Sequence, residues 1–228
     1  MVRLGGTGGG SRAAGDSACD SITVLDEDAI TDAARRLRAA ERSREPIRQL
    51  SLQYPDMTIE DAYRVQRALV AAKLAEGRTV RARKIGLTSR AMQQAVSITE
   101  PDYGVIFDDM FFDDGGVVPF RRFIRPRVEV ELAFVLGQPL KGPGVTALDV
   151  LDATRWVTPA LEILDARVQM SDPETGHLRT IVDTISDNAA DAGIVTGGHA
   201  VRPDACDLRR VAALLYVCLL YTSDAADE

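Results

Sequence analysis

The sequence predicts an α+β chain in which helices come first and a mixed β-sheet that curls on itself follows. Three observations predict it. Residues 26–44 and 58–77 carry apolar side chains at helical spacing. After Gly77 the character changes to short β-prone segments separated by turn signals, at residues 80–87, 104–110, around Glu129, 158–164 and 192–196. No regular alternation of strand and helix accompanies them, which disfavours a doubly wound sheet.

In the first helix Ile30, Ala33, Ala34, Leu37 and Ala40 share one face, with acids early and arginines late, as the helix dipole prefers. Pro46 and Pro55 punctuate the loop that follows. Thr58 is a good N-cap with Asp61 three residues on, and Ala62, Val65, Leu69 and Ala72 run to a stop at Gly77. Residues 149–155 read as a short helix and 172–176 as a turn. Residues 1–20, rich in Gly, Ser and Ala, are expected to be a disordered extension before a main domain at 21–216. Their glycine run follows no strand and lacks the Lys-Ser/Thr of a phosphate loop.

Composition narrows the chemistry. A net charge of −7 and a pI near 5.0 argue against nucleic acid or an anionic membrane as partner. The longest apolar run, residues 211–221, is too short to span a bilayer. Cys19, Cys206 and Cys218 are an odd number without metal-type spacing, so a reducing, cytoplasmic compartment is expected. His177 and His199 are the only histidines, each in a loop context, which disfavours a Ser-His-Asp hydrolase or a zinc site. Carboxylates and lysine remain as the reactive inventory, and they suit a hard, oxygen-liking cation.

The stretch Arg127-Val-Glu-Val-Glu-Leu-Ala-Phe-Val-Leu136 concentrates that inventory. Its apolar residues recur with a period of two, which reads as a strand with one face on a core and Glu129 and Glu131 on the other. Residues i and i+2 lie about 6.5 to 7 Å apart along a strand, close enough to converge on one small cation. A solvated strand face is the alternative reading. Glu162 lies opposite the apolar Leu161 and Ile163 in another strand, and Lys84 shares a face with Val80, Ala82 and Gly86. A lysine among small apolar neighbours suits proton transfer, or else snorkels to water. Asp102 sits on a turn, where a side-chain to backbone hydrogen bond is the ordinary role.

At these residues the sequence also becomes familiar. Lys84-Ile-Gly-Leu-Thr-Ser-Arg-Ala-Met92, Glu100-Pro-Asp-Tyr-Gly104, Asp108-Asp-Met-Phe-Phe112, the strand from Pro126 to Leu136, and Asp183-Thr-Ile-Ser-Asp-Asn-Ala-Ala190 follow one another in a specific order. Over residues 25–216 the chain resembles the hydratase and decarboxylase branch of the fumarylacetoacetate-hydrolase-like family. The resemblance implies a barrel-like sheet of the fumarylacetoacetase C-terminal type, with Mg2+ or Mn2+ held at Glu129, Glu131 and Glu162. It implies proton transfer at Lys84 and Asp102, and substrate contacts at Thr88, Ser89, Arg90, Arg127 and Ser186. The implied reaction is hydration of a 2-oxo dicarboxylic acid, such as 2-oxohept-4-ene-1,7-dioate or its dienol, to a 4-hydroxy-2-oxo acid in aromatic-compound catabolism, the homoprotocatechuate route.

Arg90, Arg127 or Arg179 could meet the distal carboxylate. Hydration of 2-keto-4-pentenoate, decarboxylation of 4-oxalocrotonate, carbon-carbon hydrolysis of an acylpyruvate, and an inactive fragment that partners a related subunit stay open beside it. A homo-oligomer and association with a related decarboxylase are implied as well. The match breaks after Tyr216. Residues 217–228 are unlike the family and are expected to be a foreign tail, leaving family strands missing and a sheet edge uncovered.

Overall fold

The computed structural model describes residues 24–95, 98–217 and 220–224. The expected extension at 1–20, Cys19, Cys218 and the last four positions of the expected tail lie outside the described residues.

The first helix, α1 (Glu27–Ser43), starts where Asp26 accepts a hydrogen bond from the Ala29 N–H and ends where Arg44 turns left-handed. After the single turn α2 (Leu50–Gln53), α3 (Ile59–Ala75) begins at a capping box, with Thr58 and Asp61 each satisfying the other's backbone N–H. Gly77 then takes a positive φ of 91°, which explains the stop there. Ile30, Ala33, Ala34 and Leu37 of α1 pack against Ala62, Val65 and Leu69 of α3, with Leu50, Val168 and Ile185 closing the cluster. Asp61 is fully buried beneath them. Burial would raise its pKa, but hydrogen bonds from Val24 and Thr58 outweigh that and hold it below the usual carboxylate value.

Beyond α3 come β1 (Val80–Gly86), α4 (Arg90–Ala95), β2 (Asp102–Phe107), β3 (Phe111–Phe112), β4 (Arg127–Leu136), α5 (Ala147–Ala153), β5 (Thr154–Leu164), α6 (Ile181–Ser186), β6 (Asp191–Thr196), β7 (Leu214–Val217) and β8 (Leu220–Asp224). They form a four-stranded sheet in the order β3-β6-β5-β4 and two separate two-stranded pairs, β1-β2 and β7-β8. The larger sheet is mixed, since β3 runs parallel to β6 and the other pairs are antiparallel.

The expectation of a curled, barrel-like sheet is therefore wrong. Closure needs a continuous ladder from edge to edge. Here β3 has two residues, β4 is an edge, and no described strand pairs the β1-β2 ribbon to the four-stranded sheet. The α+β class stands. The apolar side of β4 also departs from expectation: Val128, Phe134 and Leu136 are 46%, 43% and 47% exposed, so no described layer covers them.

A buried polar cluster ties the chain leaving β5 to the turn that enters β6 and to the approach to β4. Arg167, at the end of the chain's exit from β5, donates through Nε to Asp187 Oδ1 (2.5 Å) and through its backbone N–H to Asp187 Oδ2 (2.7 Å). Its Nη1 reaches the carbonyls of Asp165 (2.6 Å) and Asp191 (2.9 Å). Burial works against the Arg167 charge, but Asp187 and Glu41 outweigh it and raise its pKa. The freed carboxylate of Asp165 accepts the N–H groups of Ile124 (2.8 Å) and Arg125 (2.7 Å), which anchors the approach to β4. Breaking a buried pair by removing one partner costs about 3 to 5 kcal/mol. Arg167→Met should therefore lose a stability of that order in denaturant unfolding, and a loss below about 1 kcal/mol would show that Asp187 does not depend on the pair.

Candidate metal centre and active site

The register of β4 against β5 sets Glu129 directly opposite Glu162 and Glu131 opposite Ala160. Directly opposite residues of an antiparallel pair point to one face, so all three carboxylates do. One oxygen from each lies within 4.8 Å of the others. Glu129 and Glu131 are exposed whereas Glu162 is buried, with its Oε1 accepting no hydrogen bond. Burial pushes the Glu162 pKa up to about 6, and the charges of Glu129 and Glu131 push the same way against Lys84. Like charges placed opposite one another are destabilising unless something positive sits among them. Three anionic oxygens with no nitrogen or sulfur ligand suit a hard divalent cation such as magnesium or manganese.

The second half of the site comes from the β1-β2 ribbon. Its register places Lys84 opposite Gly104 and Asp102 opposite Gly86. Lys84 Nζ lies 3.4 Å from Glu162 Oε1, an ion-pair distance without hydrogen-bond alignment. Asp102 is buried at the head of β2, where burial raises its pKa and Lys84 partly offsets the rise. A Cβ placed on Gly86 would collide with Asp102 Oδ1 and meet Lys84 Nζ at 3.3 Å, so both groups converge on the space that glycine leaves. Leu87 next takes a left-handed φ of 55°, which turns the chain out of the ribbon immediately after Gly86.

The structure thus brings Lys84, Asp102, Glu129, Glu131 and Glu162 together from two sheets. The other expected residues are placed differently. Thr88 and Arg90 are exposed in and beyond the turn after β1, and Ser89 Oγ accepts the Met92 N–H (3.2 Å) at the start of α4. Arg127 is exposed and lies two residues before Glu129, on the same strand face. Ser186 is fully buried, and its hydroxyl donates to the Val182 carbonyl (2.7 Å) inside α6. Arg179 is partly buried, and burial lowers its pKa.

A Ser, a His and an Asp do meet elsewhere, in the wrong order for a nucleophile. Ser51 Oγ donates directly to Asp183 Oδ2 (2.6 Å) and meets His177 Nε2 at 2.9 Å. The imidazole is not between hydroxyl and acid, so it cannot act as the supported base of a hydrolytic triad. Sequence reasoning also missed Asp191, which is buried at the head of β6 with neither carboxylate oxygen hydrogen-bonded. Burial first, then the Glu162 charge, push its pKa up to about 7. Only an acid at the start of an otherwise apolar strand signals it in the sequence.

No family model matches the chain. Individual proteins do. It is 56% identical over 193 residues to the 2-oxo-hept-4-ene-1,7-dioate hydratase of Escherichia coli, covering 85% of this chain and 72% of that protein. It is 34% identical over 192 residues to the 4-oxalocrotonate decarboxylase of Pseudomonas sp. (strain CF600), covering 84% and 70%. Among solved structures, the 4-oxalocrotonate decarboxylase from Pseudomonas putida G7 complexed with magnesium and adipate superposes with a TM-score of 0.75 at 31% identity, over 82% of this chain and 69% of that one. The same decarboxylase complexed with calcium and acetate superposes equally well. A chain so similar over most of its own length and most of its relatives' belongs to the hydratase and decarboxylase branch of the fumarylacetoacetate-hydrolase-like family.

Proposed function

We propose that the chain is a divalent-metal-dependent hydro-lyase that adds water to a 2-oxo-alkenoate, with 2-oxohept-4-ene-1,7-dioate as its substrate. One observation carries the reading: three carboxylates converge on one point, beside a lysine and a buried aspartate that converge on another. The choice of hydration over decarboxylation is supported by identity, 56% to the hydratase against 34% to the decarboxylase.

Glu129, Glu131 and Glu162 are the residues that would hold magnesium or manganese. Bound there, the ion supplies Lewis-acid stabilisation of charge developing on the substrate's 2-oxygen, an effect worth several kcal/mol. Everything else is proton handling. Hydration across C4=C5 places the hydroxyl of water on C4 and, in net, a proton on C5, with C3 losing one proton and regaining one on the way, so the site must both accept and deliver protons. Lys84 and Asp102 share the space beside Gly86 and are the pair placed to do both. Asp102 has its protonated form favoured by burial, which suits the delivering role. The distal carboxylate of a heptenedioate calls for a cation, and Arg127 stands on the face of Glu129.

The direct test is product analysis with magnesium present and absent. A 4-hydroxy-2-oxo acid from the heptenedioate supports the reading, and stoichiometric carbon dioxide release overturns it in favour of the decarboxylase. Glu129→Gln removes one anionic ligand and should abolish the metal-dependent turnover; unchanged magnesium dependence would sink the metal assignment. Lys84→Ala should lower turnover by about 10² to 10⁴-fold, the range for losing a positioned acid or base, with metal affinity nearly intact. Collapse of metal binding in that variant would make Lys84 structural.

The Glu162 shift adds a pH dependence. Its folded pKa, about 6, lies above the ordinary 4.5, so its contribution to the metal-free fold is complete below about 4.5 and is lost as pH rises through about 6. A cation competes with that proton. Magnesium affinity measured by calorimetry should weaken as pH falls through about 6, and a flat profile from pH 5 to 7 would remove Glu162 from the ligand set.

A further inference from the structure

The two halves of the proposed site stand on separate sheets. Glu129, Glu131 and Glu162 lie on β4 and β5, while Lys84 and Asp102 lie on the β1-β2 ribbon. No described strand ladder joins the two. Besides the Lys84–Glu162 contact and the packing of β2 on Ile194 of β6, a hydrogen-bonded side chain holds one half against the other. Asn188 Oδ1 accepts the Val105 N–H (2.8 Å), and Asn188 Nδ2 donates to the Val105 carbonyl (2.9 Å). The amide thus acts as one rung of a ladder, satisfying both polar groups of a buried residue in the middle of β2.

The backbone beneath that amide is unusual. Asn188, Ala189 and Ala190 take φ of 55°, 53° and 57°, three consecutive residues in the left-handed region. The left-handed region is disfavoured for non-glycine residues, which normally visit it singly. The turn is gripped on both sides. Arg167 Nη2 donates to the Asp187 carbonyl (2.5 Å), and the Ala190 carbonyl accepts the Asp165 N–H (2.9 Å). Through it the chain enters β6, which pairs with β5 in a register that sets Ile194 opposite Glu162.

On the other side, the Asn188 carbonyl packs on Gly104, where an added Cβ would stand 2.7 Å from it. Gly104 is the register partner of Lys84. A strained turn rooted in the metal-binding sheet therefore touches the ribbon at the two adjacent residues behind the lysine. Gln66 makes a parallel contact, its Nε2 donating to the carbonyls of Tyr103 (2.8 Å) and Ile185 (3.2 Å).

We propose that Asn188 is a positioning residue that sets the proton-transfer ribbon of Lys84 and Asp102 against the carboxylates of the metal centre. The proposal rests on the hydro-lyase reading for its catalytic consequence and on the coordinates alone for its mechanical one. Asn188 is buried, and both polar atoms of its amide are engaged by Val105. Its effect on turnover is transmitted through β2, because a displacement of about 1 Å at reacting groups is enough to cost on the order of 10²-fold.

Asn188→Gly is the informative variant, since glycine adopts the same positive φ without strain and only the amide is lost. The experiment compares it with the parent chain in three measurements: magnesium affinity by calorimetry, steady-state kinetics on the heptenedioate, and the NMR response of the lysine ε-carbon signals to magnesium. Lys73, Lys84 and Lys141 are the only lysines, so the spectrum is simple to assign. The expected result is a magnesium Kd within about twofold, kcat lowered about 10 to 100-fold, and a Lys84 response to magnesium reduced by half or more. An unchanged kcat and Lys84 response in the folded variant overturns the proposal. Parallel loss of metal affinity and kcat overturns it as well, since that marks a general structural role.

Should Asn188→Gly fail to fold, Asn188→Asp keeps the acceptor for the Val105 N–H and replaces the donor with a carboxylate oxygen facing the Val105 carbonyl. The same split between preserved metal affinity and lowered kcat is expected there, and its absence is equally decisive. If the parent chain turns over neither substrate class, the hydro-lyase reading fails while the Lys84 response to magnesium still tests the coupling.

Discussion

Glu129 facing Glu162 across an antiparallel pair is the constraint around which the structure is arranged. Two like charges at that position repel, and the β-ladder cannot relieve them by slipping, because a one-residue shift would carry every side chain of β4 to the other face. Relief has to come from outside the strand pair. Lys84 supplies part of it, at 3.4 Å, while burial first, and then the charges of Glu129 and Glu131, keep the Glu162 pKa raised. The pKa of Asp191 is raised to about 7 by its own burial first and by the Glu162 charge next. The arrangement makes a poor structural motif, which is what the proposed metal centre would explain.

Holding such a site open requires rigidity that the sheets themselves do not provide. The strands bearing lysine and carboxylates belong to different sheets, and the polar cluster of Arg167, Asp187, Asp165 and Asn188 links them by side-chain bonds instead. Buried polar networks of this kind contribute little when complete and cost several kcal/mol when broken. Their advantage is directional: a hydrogen bond fixes an orientation that apolar packing would leave adaptable. The helical layer plays the complementary part, with Gln66 of α3 reaching Tyr103 while the apolar faces of α1 and α3 supply the burial.

Local chemistry was the legible part of the sequence. The cap at Thr58, the glycine stop at Gly77 and the period-two run around Glu129 act within a few residues and match the structure closely. The site's acids and lysine were legible for the same reason, as polar groups on strands with little cause to be there. Closure of the sheet was not legible, because it depends on which edges meet, and neither strand period nor turn chemistry reports that. The apolar face of β4 misled in the same way, since alternation states which face is apolar without stating what covers it. The helix α6 went unread as a helix: six residues with β-branched side chains at Ile181, Val182, Thr184 and Ile185 have weak propensity, and buried contacts of Asp183 hold it instead. Asn188 and Asp191 were invisible as individuals, because their roles depend on partners 83 residues away and on burial.

The metal-free chain carries its acids at a cost, and this links stability to function. Protons offset that cost at low pH, since Glu162 and Asp191 both bind them more tightly in the fold than free carboxyls would. As pH rises through about 6 and then about 7 these protons are lost in turn, and the repulsion among the carboxylates grows. A cation that binds only the folded arrangement then acts as a folding ligand, contributing about 2.7 kcal/mol at a concentration one hundred times its Kd. Under the metal-dependent reading proposed above, the same repulsion that makes the strand pair costly alone would favour a divalent ion near neutral pH. Proton and metal compete for one set of oxygens, so the pH at which the fold most needs a cation is also the pH at which the proposed chemistry has its ligands free.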